Sequence, residues 1–219
     1  SLDGLILVSS TPGYDCDATN WDCGGLLVWQ RADRSASFAA SSPERLVDPD
    51  GVRMDYLTFN GVAVSPDGLI IAVGADKDLL GSDSDALLLW QRSDRSANFS
   101  AENPTILLDS RGYNSFALGN GRPSFSDDGL LLAAGSYNAD SLVGTSGVVI
   151  VWRRETTSSS FADATTVLRF ADPDGATSDR FGTADVSLSG DGLVLAAASL
   201  RDDDKGSNSG SVTVFELVH

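Results

Sequence analysis

A turn followed by a short apolar run is written four times along this chain. The copies are Asp3-Gly4-Leu5-Ile6-Leu7-Val8, Asp67-Gly68-Leu69-Ile70-Ile71-Ala72, Asp128-Gly129-Leu130-Leu131-Leu132-Ala133 and Asp191-Gly192-Leu193-Val194-Leu195-Ala196, spaced 64, 61 and 63 residues apart. Each run is too short for a membrane-spanning helix and is bounded by small residues, which predicts a strand buried on both faces. A recurring period of this size marks a repeat architecture, in which one supersecondary unit is copied and the copies bury each other. Units therefore begin near residues 3, 67, 128 and 191, and 1–219 reads as a single domain or part of one.

The rest of each unit follows one order. A second apolar run closes on an aromatic: Leu26 to Trp29, Leu87 to Trp90, Val148 to Trp152, and Val212 to Phe215. A turn-rich segment comes next, with Phe38, Phe99 and Phe161 each nine residues after Trp29, Trp90 and Trp152, so that all three are expected at one equivalent core position. A weaker third strand is expected at Arg45-Leu46-Val47, Thr105 to Leu108 and Thr166 to Phe170, its mixed polarity suiting an outer edge. Asp-Pro-Asp-Gly loops at 48–51 and 172–175 lead towards a fourth strand, at Val62-Ala63-Val64, Pro123-Ser124-Phe125 and Val186-Ser187-Leu188. Ser65-Pro66-Asp67-Gly68 suits a tight hairpin, which makes strand four of one unit the antiparallel neighbour of strand one of the next. Pro123 fits only a sheet edge, having no N–H to donate.

Four antiparallel strands per unit with no helical periodicity between them predict an all-β fold, a β-propeller of four-stranded blades. The small residues Ala72, Gly74, Ala133, Gly135, Ala196 and Ala198 recur where neighbouring sheets are expected to approach closely. Fourteen strands amount to about three and a half blades. Propellers typically close with 4 to 8. The expectation is that other protein chains, or the remainder of a longer polypeptide, complete the ring.

Asp179-Arg180-Phe181-Gly182, then Val186 to Leu193, then Ser209 to Phe215 resembles the FG-GAP repeat of integrin α-like propellers. The resemblance extends over three full copies and a partial one, although Phe-Gly itself stands only at Phe181-Gly182, with Leu57-Thr58 and Leu118-Gly119 at the aligned positions. It implies a propeller on extracellular or cell-surface proteins with adhesive or assembly roles. In that family the hairpin between these strands carries calcium. Here it shortens to Pro66-Asp67-Gly68, Asp127-Asp128-Gly129 or Gly190-Asp191-Gly192, too few alternating oxygens for that ion. WD-repeat propellers share the Ser-Pro-Asp-Gly turn but have a shorter period and a Gly-His that is missing from this chain.

Charge narrows the partners. Asp and Glu number 31 against 15 Lys and Arg, a net charge of −16, which argues against binding nucleic-acid phosphates. No apolar stretch reaches the ~18 residues of a membrane span. Cys16 and Cys23 flank a short polar loop, and with no histidine near them a local disulfide in an oxidising compartment is expected in preference to zinc. Asn98-Phe99-Ser100 is a glycosylation acceptor sequence in an expected surface loop. The acidic loops after each first strand offer Asp76, Asp78 and Asp83 as weak calcium candidates, without a recurring ligand frame. Trp21 and Tyr137, with Tyr14, Tyr56 and Tyr113, stand in loops where rings either stack on sugars or cover the blade ends.

Catalytic parts are scarce. The single histidine, His219, ends the sequence, and no Gly-rich phosphate loop leads into a helix. No catalytic residue, cofactor site or firm metal site is assigned. The sequence points to a non-catalytic structural or adhesive protein-interaction module, extracellular or on the cell surface. A glycan-binding lectin-like propeller is the alternative, and a propeller hydrolase the third reading.

Overall fold

The computed structural model describes residues 1–15, 22–51, 57, 61–75, 86–109, 118–139 and 144–217. Its strands form four sheets. The first is β1 (Ile6–Thr11), β2 (Gly25–Gln30) and β3 (Glu44–Leu46), in that order. The second is β4 (Val62–Val64), β5 (Ile70–Ala75), β6 (Ala86–Gln91) and β7 (Thr105–Leu107). The third is β8 (Ser124–Phe125), β9 (Leu131–Ser136), β10 (Val148–Arg153) and β11 (Thr166–Phe170), and the fourth is β12 (Ser187–Leu188), β13 (Val194–Ser199) and β14 (Ser211–Glu216). All of these strand pairings are antiparallel between sequence neighbours. The sheets are propeller blades. β8 touches both β4 and β12, which places these strands at the inner end of their blades. Among the described residues, blade 1 thus has no inner strand and blade 4 no outer one, the fourteen strands making about three and a half blades.

The inner hairpin is built the same way in each blade. A serine two residues before the repeated aspartate (Ser1, Ser65, Ser126, Ser189) donates its hydroxyl to that carboxylate at 2.6 Å in all four copies. The same carboxylate oxygen accepts the N–H of Leu5, Leu69, Leu130 and Leu193 at 2.9–3.0 Å. Serine Oγ in turn accepts the N–H that opens the next strand, as at Ile70 (2.8 Å) and Leu131 (3.0 Å). The glycine between them has φ near +70° in every copy, a conformation that disfavours any side chain. The repeated aspartate is therefore a turn residue, its carboxylate engaged by the backbone it folds.

An arginine ties this hairpin to the turn after the aromatic-closed strand. Arg31, Arg92 and Arg154 each donate Nε to the hairpin glycine carbonyl, of Gly4 (2.9 Å), Gly68 (3.2 Å) and Gly129 (2.9 Å). Nη1 reaches forward to the carbonyls of Ala36 (3.2 Å), Ala97 (3.1 Å) and Ser159 (3.1 Å). The guanidinium carbons lie 4.7, 4.4 and 4.8 Å from the ring centres of Phe38, Phe99 and Phe161, in cation–π stacks. Each phenylalanine opens a 3-10 turn (Phe38–Ala40, Phe99–Ala101, Phe161–Asp163) where sequence periodicity announced only a turn-rich segment. Phe99 and Phe161 are core residues, as expected. Phe38 is only half-buried. The turns in blades 2 and 3 pack on the outer strand of the blade before, β3 and β7, and blade 1 has no such neighbour.

Blades meet through apolar faces and two recurring polar devices. Leu26, Val28, Ile71, Val73, Leu88 and Trp90 fill the first junction, and Leu131, Ala133, Val149, Val151, Leu195 and Ala197 the third. Burying each large aliphatic side chain contributes about 1.5–3 kcal/mol. Phe181 hooks onto blade 3, its N–H donating to the Ser146 carbonyl at 2.8 Å, and Leu57 hooks likewise onto Cys23 of blade 1 at 3.1 Å. The close approach expected at the small residues is found at two of them: a Cβ on Gly135 would stand 2.1 Å from the carbonyl oxygen of Gly182, beside Phe181, and one on Gly74 would stand 2.3 Å from that of Gly119. The second device is an acid after the outer strand. Asp109 pairs with Arg169 of blade 3, and Asp172 accepts hydroxyls from Ser199 (2.5 Å) and Thr213 (2.9 Å) of blade 4. Asp48, at the matching position of blade 1, is buried as they are.

Strand edges differ slightly from the sequence expectation. The third strand of blade 1 is Glu44–Leu46 and not Arg45–Val47, because Val28 pairs with Glu44 and Leu26 with Leu46. Leu108 falls outside β7, and Pro123 and Val186 outside β8 and β12. Pro123 stands directly before an edge strand, where its missing N–H costs no ladder bond.

Two substitutions test these ties. Arg154→Ala should lower the unfolding free energy by about 3–4 kcal/mol, with Arg154→Lys losing roughly half as much because charge survives without the planar fork. Asp172→Ala should cost about 2 kcal/mol by stranding the buried Ser199 hydroxyl and the half-buried one of Thr213, whereas the exposed Asp174→Ala should stay within about 0.5 kcal/mol. Urea denaturation midpoints check both.

Candidate interaction surfaces

Repetition makes the uncovered surface easy to recognise, since each position has a counterpart in another blade. Adding 63 to Leu131, Val149 and Val151 gives Val194, Val212 and Val214. The first three are 6%, 0% and 2% exposed against blade 4, whereas their counterparts on the far side of blade 4 are 37%, 67% and 60% exposed. Blade 1 shows the mirror case. Its Leu7 is 47% exposed, and Ile71, at the same position of blade 2, is fully buried against blade 1. Within residues 1–219, then, the outward faces of blades 1 and 4 have core composition and no blade of this sequence packed on them. Contiguous apolar patches of this kind mark interaction sites.

The loop between β13 and β14 is acidic and closed on itself. Asp202 accepts the N–H of Asp204 at 2.8 Å and Asp203 that of Asn208 at 2.5 Å. At the other end of the blades, the Ser35 hydroxyl and the amides of Ser35 and Ala36 hold the Asp33 carboxyl below its ordinary range, and Ser96 and Ala97 do the same for Asp94. Burial pulls the guanidinium values of Arg92 and Arg154 down from theirs. Among the described residues no three of His, Cys, Asp or Glu converge as metal ligands would. No described helix is long and apolar enough to cross a membrane.

The residues singled out from sequence divide as follows. Asp76, Asp78 and Asp83, Trp21, Tyr56, Tyr113 and Cys16 lie outside the described residues. Cys23 is buried and is not a free thiol. Asn98 is exposed and makes no side-chain cap bond to the turn it precedes, where Ser37 and Ser160 do in the other blades. Tyr137 is half-buried with the Arg180 guanidinium 5.1 Å from its ring centre, and Tyr14 carries Arg45 at 4.2 Å. One face of each ring is thus occupied from within the chain. Sequence reasoning passed over Leu7, Val194, Val212 and Val214 because each belongs to a strand that reads as core. The signal was the copy number: end blades have one neighbour each.

Comparison with known proteins agrees with this geometry. Residues 165–215 match the family model described as FG-GAP repeat. No curated protein sequence matches the chain. Among solved structures, the Cps50 (Swd1) β-propeller domain of Myceliophteria thermophila aligns at a TM-score of 0.53 and 14% identity, covering 98% of this chain and 51% of that one. The chain thus spans about half the length of that propeller domain. A prolyl endopeptidase (15% identity, 98% of this chain, 28% of that one) and prolyl oligopeptidase B from Galerina marginata (13%, 99% and 30%) align at 0.46, too low to carry an argument. The matched segment runs from β11 through β14 and includes one of the four identical hairpins, so the chain carries an FG-GAP repeat at residues 165–215 within a β-propeller fold.

Proposed function

We propose that this chain is a non-catalytic protein-interaction module of the FG-GAP propeller type, with a structural or adhesive role outside the cell or at its surface. It works as part of a ring that other protein chains or further blades of the same polypeptide complete. The observation that carries this reading is the uncovered face of blade 4, where Val194, Val212 and Val214 repeat the positions of three buried core residues. An export setting is supported by the exposed Asn98 acceptor, by Cys23 not being a free thiol, and by the kind of protein in which FG-GAP propellers occur. A Cys16–Cys23 disulfide belongs to this reading. No bound cofactor does.

Sedimentation tests the reading. The natural protein should sediment as a particle heavier than the 22.9 kDa of residues 1–219. The isolated chain should self-associate or bind an apolar dye, and Val212→Asp with Val214→Asp should abolish that while leaving its β circular-dichroism spectrum intact. A compact 22.9 kDa monomer that ignores the substitutions overturns the proposal. EDTA added to calcium-loaded protein should leave its Tm unchanged, and a fall would restore the Asp76, Asp78 and Asp83 site.

A further inference from the structure

The turn after the aromatic-closed strand carries a second arginine in blades 1 and 2 but not in blade 3. Three residues on from Arg31, Arg92 and Arg154 stand Arg34, Arg95 and Thr157. Arg95 bridges two blades: its Nη2 donates to the Asp67 carbonyl of its own hairpin and lies 2.5 Å from Oδ2 of Asp3 in the hairpin of blade 1. Oδ1 of Asp3 is already taken by the Ser1 hydroxyl and the Leu5 N–H, so the carboxylate is divided between its own hairpin and the next blade. The Arg95 carbonyl in turn accepts Nη1 of Arg92 at 3.3 Å and Nε2 of Gln30 from blade 1 at 2.9 Å.

Between blades 2 and 3 the receiving groups remain and the arginine is replaced. Oδ1 of Asp67 accepts the Ser65 hydroxyl and the Leu69 N–H, as Asp3 does with its own hairpin, while Oδ2 has no partner among the described residues. Thr157 is exposed and is too short to reach it. The vacated space is visible beside the hairpin glycines. A Cβ on Gly68 would stand 2.9 Å from Nη2 of Arg95, whereas one on Gly129 would meet only Nη2 of Arg154, at 3.4 Å, among the described residues. Arg154 is 1% exposed and that nitrogen has no hydrogen-bond partner, although Nη2 of Arg92 binds the Gly68 carbonyl at 3.0 Å. Burial pulls the Arg154 guanidinium below its ordinary value, and of the two acids opposing this Asp67 acts more strongly than Asp128. An open carboxylate oxygen and a buried donor without an acceptor thus border one slot.

We propose that this slot recognises an arginine of a partner polypeptide, its guanidinium seated between Oδ2 of Asp67 and the Asp128 carbonyl, with a main-chain carbonyl of the same segment accepting from Nη2 of Arg154. The inference rests on the reading of the chain as an interaction module and gives the partner's chemistry at a place formed wholly by blades 2 and 3. Arg95 defines the occupant, because in the preceding junction it supplies both a guanidinium to the hairpin oxygens and a carbonyl to the buried arginine. A planar fork reaches a carboxylate and a carbonyl together, which an ammonium does as a single point charge. A second guanidinium beside Arg154 suits this frame, since Arg92 and Arg95 already stand together in blade 2. Leaving the Nη2 donor buried and unmet costs stability that a bound carbonyl restores. The net charge of −16 draws cationic segments towards the surface and disfavours an anion in the same place.

The test fills the slot from within and from outside. Thr157→Arg restores the arginine of blades 1 and 2 and should raise Tm by about 2 °C, a gain that Asp67→Asn removes. Nα-acetyl-arginine amide, which carries both a guanidinium and a carbonyl, is titrated into the unaltered chain and followed by NMR. It should shift the Leu69 amide and the Arg154 Nε–H signals with a Kd on the order of millimolar, and Nα-acetyl-lysine amide should bind about threefold or more weakly. Thr157→Arg should weaken the arginine probe by about tenfold or more, because the tethered side chain competes at high effective concentration. Asp67→Asn should abolish its binding, whereas Asp191→Asn, the same change in the hairpin of blade 4, should leave it intact. Equal binding to the Thr157→Arg variant overturns the proposal, as do equal affinities for the two probes or shifts spread evenly over the other hairpin acids. Sedimentation of the same samples separates the two levels: a chain that associates through its blade faces yet ignores the arginine probe overturns only the slot, and a compact monomer that takes the probe at Asp67 overturns only the ring.

Discussion

The structure depends on a cation held between two turns. Each of the first three blades has an arginine whose guanidinium binds the carbonyl of the hairpin glycine on one side and the turn after the aromatic strand on the other, while lying over a phenylalanine. The ladder sets the register of the strands, and the guanidinium adds a direct tie between the two turns at one end of the sheet. The guanidinium does so by matching a planar fork to carbonyls in fixed places, an arrangement a flexible ammonium does not reproduce. Arg154 is among the largest fully buried side chains described, which shows how completely the blade closes round it. The fourth blade departs from this plan. Leu217 stands at the arginine position, keeps the backbone bond to Leu193 at 2.7 Å, and replaces the polar tie with packing.

Between blades the logic changes from one strong tie to many modest ones. Hook residues, close glycine contacts, buried acids and slabs of aliphatic side chains recur among the junctions with different members. Leu57 takes the place that Phe181 holds, and Arg169 answers Asp109 where Ser199 and Thr213 answer Asp172. The hydrophobic slab tolerates such exchange because its contribution follows area and not direction. The glycine pair does not, since backbone meets backbone there with no room for a methyl group.

Much of this was legible in the chain. The fourfold Asp-Gly turn and the unbroken apolar runs placed the long strands within a residue or so, because a strand buried on both faces has no polar positions to blur its limits. Pro123 announced an edge. Other features were hidden in residues with an ordinary explanation. Arg31, Arg92 and Arg154 sit just past the aromatic-closed strands, where a charge suits the surface, yet the latter two are buried. Asp172 read as a loop former beside Pro173 and Gly175, yet it binds the next blade. In each case a partner is far along the sequence, at Gly129 for Arg154 or Thr213 for Asp172, and no local pattern records such pairs. Tyr137 read as a loop ring that either stacks on a sugar or covers a blade end, and only the folded chain shows Arg180 over it.

The arginine ties all lie at one end of the blades, joining the inner hairpin to the turn after the aromatic-closed strand. The loops joining β1 to β2, β5 to β6, β9 to β10 and β13 to β14 leave from the opposite end and differ widely in sequence. The molecule therefore has a uniform rim and a variable rim, separated by the length of a strand. Residues on the variable rim can be exchanged without touching the ties made by Arg31, Arg92 and Arg154, so changes on that rim are uncoupled from the contacts that join the two hairpins of each blade.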